Sequence, residues 1–544
     1  MAGRVLKVGF AVYPSVKMFT LNAEKKLVFA KELLFGDYIK PLLNDDGTYK
    51  IHTVVKKDKN GNAKTNKDGT VQKEEYIRVR CRGIEGYIHE SDMQSKRPLE
   101  VNFVDVGQGD GCHIVTPDDK HFIIDAGESD NMFRYLKWRF NLRTAKTAPP
   151  EFTAVISHPD ADHYAGFGKL FTKAEKVSQQ FSFNKIYHNG MVEAASGLNY
   201  LGTLKKANGR NYVTDLCDNE EAFEKRVAGV KAGEIYPDKT SIGQFMRVLE
   251  KVSADKESLR VGSDPIYDNK KYDMKLEVMA PVAETIDGKP ALRVFDSKVG
   301  PTKNGHSIVL KLTIGHLRLL LGGDLNTLSE YWLIQHYSGY DVADIKDKLA
   351  TNDLTDEERG ILEADLKKAI LLAREKLEVD IAKSCHHGSA DFSSEFLQVL
   401  NPIATVISSG DEEPHCHPRP DTLGTIGKYS RGERSLIFST ELARSGKEFL
   451  ELNKKTEKKE EKKENTAGKD NKEQKEKKQE LSAQKKKERV VTVYGMINVR
   501  TDGEKVVIAQ KLEAKASGRS WDKHMLVWNE EKQEFEYVKD NDNE

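Results

Sequence analysis

The stretch Ser157-His158-Pro159-Asp160-Ala161-Asp162-His163, followed by Tyr164-Ala165-Gly166, constrains this chain more than any other. Its four potential metal ligands, His158, Asp160, Asp162 and His163, directly follow the apolar run Phe152-Thr153-Ala154-Val155-Ile156. That run reads as a buried strand, and the ligand cluster as the loop leaving its C-terminal end. Imidazoles and carboxylates gathered this closely repel one another or go unsatisfied unless a cation sits between them. A divalent metal is the economical explanation, and the packing suits two ions better than one. The plainer reading is a polar loop in which Asp160 caps a following helix and the histidines are surface residues. The pattern H-x-D-x-D-H after a strand, with suitable partners downstream, favours the metal.

Those partners follow other apolar runs. Leu99-Glu100-Val101-Asn102-Phe103 leads into the glycine-rich turn Gly107-Gln108-Gly109-Asp110, and His121-Phe122-Ile123-Ile124-Asp125 ends in Ala126-Gly127. Two strands closed by Asp and Gly are typical of a sheet whose polar ends build a site. As a phosphate loop the pattern is weak, because no Gly-Lys-Ser/Thr helix follows. Residues 307–312 and 317–321 read as a hairpin ending at Gly322-Gly323-Asp324. Val379–Ser384 delivers Cys385-His386-His387-Gly388-Ser389, and Ala404–Ser409 precedes His415-Cys416-His417-Pro418. Ligands placed after successive short strands can converge at one edge of a sheet pair.

A chain of 544 residues exceeds one usual domain. Lys+Arg and Asp+Glu both number 86, so no global field steers it to nucleic acid or membrane, although the charge is locally uneven. The start, Met1-Ala2-Gly3-Arg4-Val5-Leu6, lacks the apolar core of a signal peptide, and no apolar stretch is long enough to span a bilayer. The five cysteines form no C-x-x-C pair. The expectation is a cytoplasmic protein without membrane insertion.

Residues 1–97 carry short β-type runs separated by turns such as Asn60-Gly61 and Asp68-Gly69. Gly83-Ile84-Glu85-Gly86-Tyr87-Ile88 and Phe35-Gly36-Asp37-Tyr38 resemble the closing strand and middle turn of bacterial SH3-like barrels. Such a unit would bind a partner protein, or simply pack over an edge of the main domain.

The order D-V-G-Q-G-D, H-P-D-A-D-H, N-x-x-S-I-V-L, G-D, H-H-G-S and H-P over residues 99–450 resembles the metallo-β-lactamase fold, and within it the soluble hydrolase domain of the competence DNA-uptake (ComEC) family. The resemblance implies an αββα sandwich, an α/β fold with a dinuclear site at one edge. His158 and Asp160 would hold the first of two divalent ions, and Asp162, His163 and His386 the second. Asp324 would bridge both, and Asp105 would orient the cluster. His417 would contact the scissile phosphate or protonate a leaving group, and His387 would orient its neighbour or the substrate. Many members of the broad fold have H-x-H-x-D-H. Asp160 replaces the second histidine here, shifting preference from zinc toward manganese without excluding zinc. His306 is placed suggestively as a further ligand, although the closer pattern puts the polar group at Asn304. His415 and His316 read as surface or strand residues.

Residues 172–275 read as an insertion, and 355–376 as an amphipathic helix whose apolar stripe faces the core. Residues 453–489 collapse to Lys, Glu, Gln and Asn, the composition of a solvated polyampholyte. Strand patterns then resume at Val490. The domain expectation is therefore an SH3-like barrel (1–97), a hydrolase domain (98–452), a charged insertion (453–489) and closing strands with a tail (490–544).

The leading function is metal-dependent hydrolysis of a phosphodiester, DNA or RNA. Alternatives are a hydrolase of small esters, thioesters, lactones or phosphoesters, and a binding or regulatory protein with a structural metal.

Overall fold

The computed structural model describes residues 5–59, 61–142, 144–410, 416–440, 495–516 and 519–539. The charged tract at 453–489 and His415 lie outside them.

Two large sheets form the centre of a mixed α/β molecule. One has ten strands, and its middle runs Ser182–His188, Glu151–Val155, His121–Ala126, Gly111–Val115, Leu99–Phe103, Ile497–Thr501 in space. The other has seven, with Val309–Ile314, Leu317–Leu321, Ile381–Lys383 and Ala404–Ile407 adjacent. Each sheet begins as an antiparallel hairpin and continues in parallel strands. His121–Ala126 pairs parallel with Glu151–Val155, and Leu317–Leu321 parallel with Ile381–Lys383. The parallel strands end on the same side, so the loops leaving them can meet.

Side-chain alternation explains the layering. Phe122, Ile124, Val155, Leu310, Leu312, Leu319 and Leu321 fill the space between the sheets. Ile123, Phe152 and Ala154 point the other way, onto Met132, Tyr135 and Leu136 of the helix Asn131–Arg139 and Phe245 of the helix Gln244–Leu249. Val309, Leu320 and Ala382 likewise face Ile334, Ala373 and Phe396. The result is four layers, α-β-β-α. The helix Asp356–Leu377 opens on a capping box between Thr355 and Glu358 and buries Ala369, Ile370, Ala373 and Leu377.

After the charged tract the chain re-enters the first sheet. Ile497–Thr501 pairs antiparallel with Leu99–Phe103, Val499 opposite Val101. Leu34 and Phe35 of the N-terminal unit pack against Val507, Ala509, Trp521 and Met525. That unit is an eight-stranded antiparallel sheet, and it covers the first sheet at Val507, Ala509, Trp521 and Met525.

One buried acid makes stability depend on pH. Glu330, on the helix Thr327–Ser338, accepts the Ser393 N–H at 2.5 Å. Burial pushes its carboxyl from 4.5 up to about 8, with Asp391 and Glu395 adding to the rise against the Ser393 hydrogen bond. Its folded pKa lies above its unfolded one, so its contribution is fully present below 4.5 and is lost as pH rises through about 8. Glu330→Gln removes the penalty, and the variant should gain on the wild type by about 1.4 kcal/mol per pH unit across that window. Urea midpoints of both proteins at pH 5, 7 and 9 check this; a constant difference would refute it.

Candidate metal centre

His158 and His163 leave the end of Glu151–Val155 as the sequence pattern requires. Asp160 N-caps the four-residue helix Ala161–Tyr164, its Oδ1 accepting the Ala161 N–H at 2.9 Å. This cap turns Asp160 outward, where Lys303 Nζ lies 3.4 Å away, and turns His163 inward to full burial. Gly109 makes room for the loop. Its φ is +98°, and a Cβ there would sit 1.8 Å from the Asp162 carbonyl oxygen, so only glycine fits.

Four side chains converge: Asp162, His163, Asp324 and His387 each present a ligand atom within 4.8 Å of the others. Asp324 Oδ2 lies 3.2 Å from His163 Nε2 and 3.1 Å from His387 Nε2, and Asp162 Oδ2 lies 3.6 Å from His387 Nε2. His158 is beside them, its ring 4.2 Å from that of His163.

The second ring nitrogens explain how these histidines are aimed. His163 Nδ1 is 2.8 Å from Asp125 Oδ2, and Asp125 is itself fixed by the Ser157 N–H at 2.8 Å and Ser157 Oγ at 2.7 Å. His158 Nδ1 lies 3.0 Å from Ser157 Oγ and 3.1 Å from Ser307 Oγ. His387 Nδ1 is 3.1 Å from both Asp110 Oδ1 and the Ser408 carbonyl. Lys383 Nζ donates to Asp110 in turn, a buried ion pair. The Nε2 atoms of His158, His163 and His387 are left buried without a hydrogen-bond partner, as is Asp324 Oδ1. Imidazoles gripped at Nδ1, with Nε2 atoms aimed into a shared acidic space, are arranged as metal ligands are.

The field agrees. Burial opposes a charged His163, yet Asp324, Asp125 and Asp162 outweigh it and hold its pKa well above 6.5. His387 is raised in the same way, against burial, by Asp324 and Asp110. For Asp324, burial favours the neutral acid, but His387 and His163 hold its pKa well below 3.8. The pocket is built for positive charge, so the donor set fits a divalent cation.

The other expected residues stand elsewhere. His386 adopts φ 48° and its Nε2 lies 4.0 Å from Asp324 Oδ2, so its neighbour His387, expected to orient it or the substrate, is the one within the group. His417 stands at the rim, its ring 6.0 Å from that of His386 and 6.3 Å from that of His387. Asp105 is buried beside the Gly107 N–H, which it accepts at 3.2 Å, and is not among the four. His306 turns away: its Nε2 is 2.6 Å from the Arg293 carbonyl and its ring stacks on Phe295. His316 stacks on Trp528. Asp110, Asp125 and Lys383 received no site role from the sequence, although two of them close the strands noted for their Asp and Gly ends. A second group, Asp110, Asp125 and His163, shares His163 with the first, but there Asp110 is already matched by Lys383.

No family model matches the chain. No curated protein matches it either. Among solved structures it is similar to a metal-dependent hydrolase of the β-lactamase superfamily, at 13% identity and a TM-score of 0.29 over 63% of this chain and 95% of that one. A likeness this faint carries no argument, and the site rests on its own geometry. No helix among the described residues is long and apolar enough to cross a membrane.

Proposed function

We propose that the chain is a metal-dependent hydrolase of the metallo-β-lactamase type, acting on phosphodiesters of DNA or RNA. The observation that carries this reading is the set of three buried imidazoles, His158, His163 and His387, with Nδ1 engaged and Nε2 unpartnered around Asp324. In it Asp162, His163, Asp324 and His387 would hold one divalent ion, manganese or zinc, and His158 with Asp324 would hold a second. A bound ion there supplies Lewis acidity and the acidification of water that hydrolysis needs. Asp125 and Asp110 keep the rings of His163 and His387 oriented, and Lys383 keeps Asp110 ionised. His417, at the rim, is the residue of this chain positioned to meet a leaving group. The phosphodiester preference and the ComEC-like assignment rest on the motif resemblance, as does the SH3-like reading of residues 1–97. A cytoplasmic setting is part of the same proposal.

The test is cleavage of labelled single- and double-stranded DNA by metal-stripped protein resupplied with manganese or zinc, with Asp324→Asn alongside. Metal-restored cleavage that the variant lacks is the expected result. Stoichiometric metal binding without cleavage of either substrate would overturn the nuclease reading in favour of smaller esters.

A further inference from the structure

The charge that cancels over the whole chain is unevenly shared. Residues 1–97 hold nineteen Lys and Arg against twelve Asp and Glu, so with 86 of each in the chain the remainder holds 67 against 74. The excess of positive charge thus sits on the N-terminal unit.

Its sheet has one closed face and one open face. Val16, Met18, Ile77, Val79 and Ile88 point inward and form the unit's core. The alternate residues point outward, and many are rings. Phe19 pairs with Phe29 on one neighbouring strand and with Tyr87 on the other, and His52 pairs with Tyr76. Phe19 and Tyr76 meet edge to face with centroids 5.9 Å apart, Tyr87 lies 5.5 Å from His52, and Tyr76 lies 4.0 Å from His89. Phe29 is 41% exposed, and the other rings are partly so. On the same strand and face as Tyr76 stand Arg78 and Arg80, with Arg78 opposite Tyr87. Both arginines pair with the single carboxylate of Glu85, Arg78 at 2.7 Å, and Glu74 is matched by Lys56 at 2.9 Å. The face is therefore aromatic, with two guanidinium groups sharing one carboxylate.

We infer that this face is a platform for single-stranded nucleic acid, on which unpaired bases stack while Arg78 and Arg80 hold the backbone. Aromatic rings interleaved with guanidinium groups on an open sheet suit exposed planar bases joined by phosphates. A duplex hides its bases and would use only the cations. The inference rests on the phosphodiesterase reading and narrows its substrate to strands with unpaired bases.

The experiment uses the full chain carrying Asp324→Asn, so that the probe is not cut, and fluorescein-labelled oligo-dT with a labelled duplex of equal length. Anisotropy titrations should show tighter binding of the single strand. Tyr76→Ala should weaken it about tenfold, the loss expected for one stacked base. Tyr76→Phe should restore it, and an unchanged urea midpoint of Tyr76→Ala should separate lost stacking from a folding defect. Arg78→Ala should lower the slope of log affinity against log salt by about 0.7. No binding, equal affinity for the duplex, or a Tyr76→Ala titration matching its parent would overturn the inference. Turnover of bis(p-nitrophenyl) phosphate by otherwise wild-type protein separates the two proposals. Turnover without a Tyr76 effect on binding removes the platform and keeps the phosphodiesterase; Tyr76-dependent binding without turnover does the reverse.

Discussion

His163→Ala should abolish metal retention and hydrolysis together while the fold survives. The imidazole is fully buried, with Nδ1 2.8 Å from Asp125 and Nε2 3.2 Å from Asp324. Alanine removes a ligand and leaves Asp125, Asp324 and Asp162 facing one another with less compensation. Losing a residue that only orients a ligand lowers metal affinity or activity by about 10–100-fold. Losing the ligand itself should exceed that, and Asp125→Asn should fall within it. Metal content after gel filtration, turnover, and circular dichroism of the three proteins read this out. Wild-type metal content in His163→Ala would remove the centre as assigned.

Arg500→Ala should be the most destabilising single change at the seam between the N-terminal unit and the first sheet. Its side chain is 1% exposed. One nitrogen, Nη1, donates to the Phe35 carbonyl and to Asp37 Oδ1, both at 2.8 Å, and Nη2 reaches Glu100 Oε1 at 3.4 Å. Burial would raise both acids, but Arg82 and Arg500 hold Asp37 low, and Arg139 and Arg500 hold Glu100 well below 4.5. Without Arg500 each carboxylate keeps one partner, Arg82 or Arg139, and loses the bridge between them. Breaking a buried pair from one side costs about 3–5 kcal/mol. Chemical denaturation should show that loss, and limited proteolysis should cut the N-terminal unit first. A change below about 1 kcal/mol, typical of an exposed pair, would show that the other seam contacts, the apolar cluster of Phe35 with Trp521 and the Lys523–Glu32 pair, hold the seam without it.

The strands and the ligand types were legible in the sequence because both depend on local pattern. Apolar alternation marks Val309–Ile314 and Leu317–Leu321, and the two strands pair with Leu312 opposite Leu319. Asp162, His163 and Asp324 end strands or begin short helices, where a polar residue after an apolar run has few other reasons to be. The four-layer arrangement came from the motif resemblance and not from alternation, since strands buried on both faces read as near-continuous apolar runs.

Tertiary structure alone decided which way each side chain points. His386 and His387 both adopt positive φ, 48° and 53°, where no helical or strand period tells one face from the other. Only the packing of their turn beneath Gly323 and Ser408 aims His387 at Asp324. Asp160 and Asp162 are two residues apart, yet a cap turns the first to solvent and the second inward. Asp125, Asp110 and Lys383 are still harder to read. Lys383 and Asp110 are 273 positions apart, and their meaning arises only when strands of the two sheets face each other. A sequence by itself fixes which residues can bind a cation and which runs become strands. The ring nitrogen left free, the carboxylate that steadies it and the lysine that steadies the carboxylate are set by contacts across the fold, because hydrogen bonds are directional and chain order carries no direction.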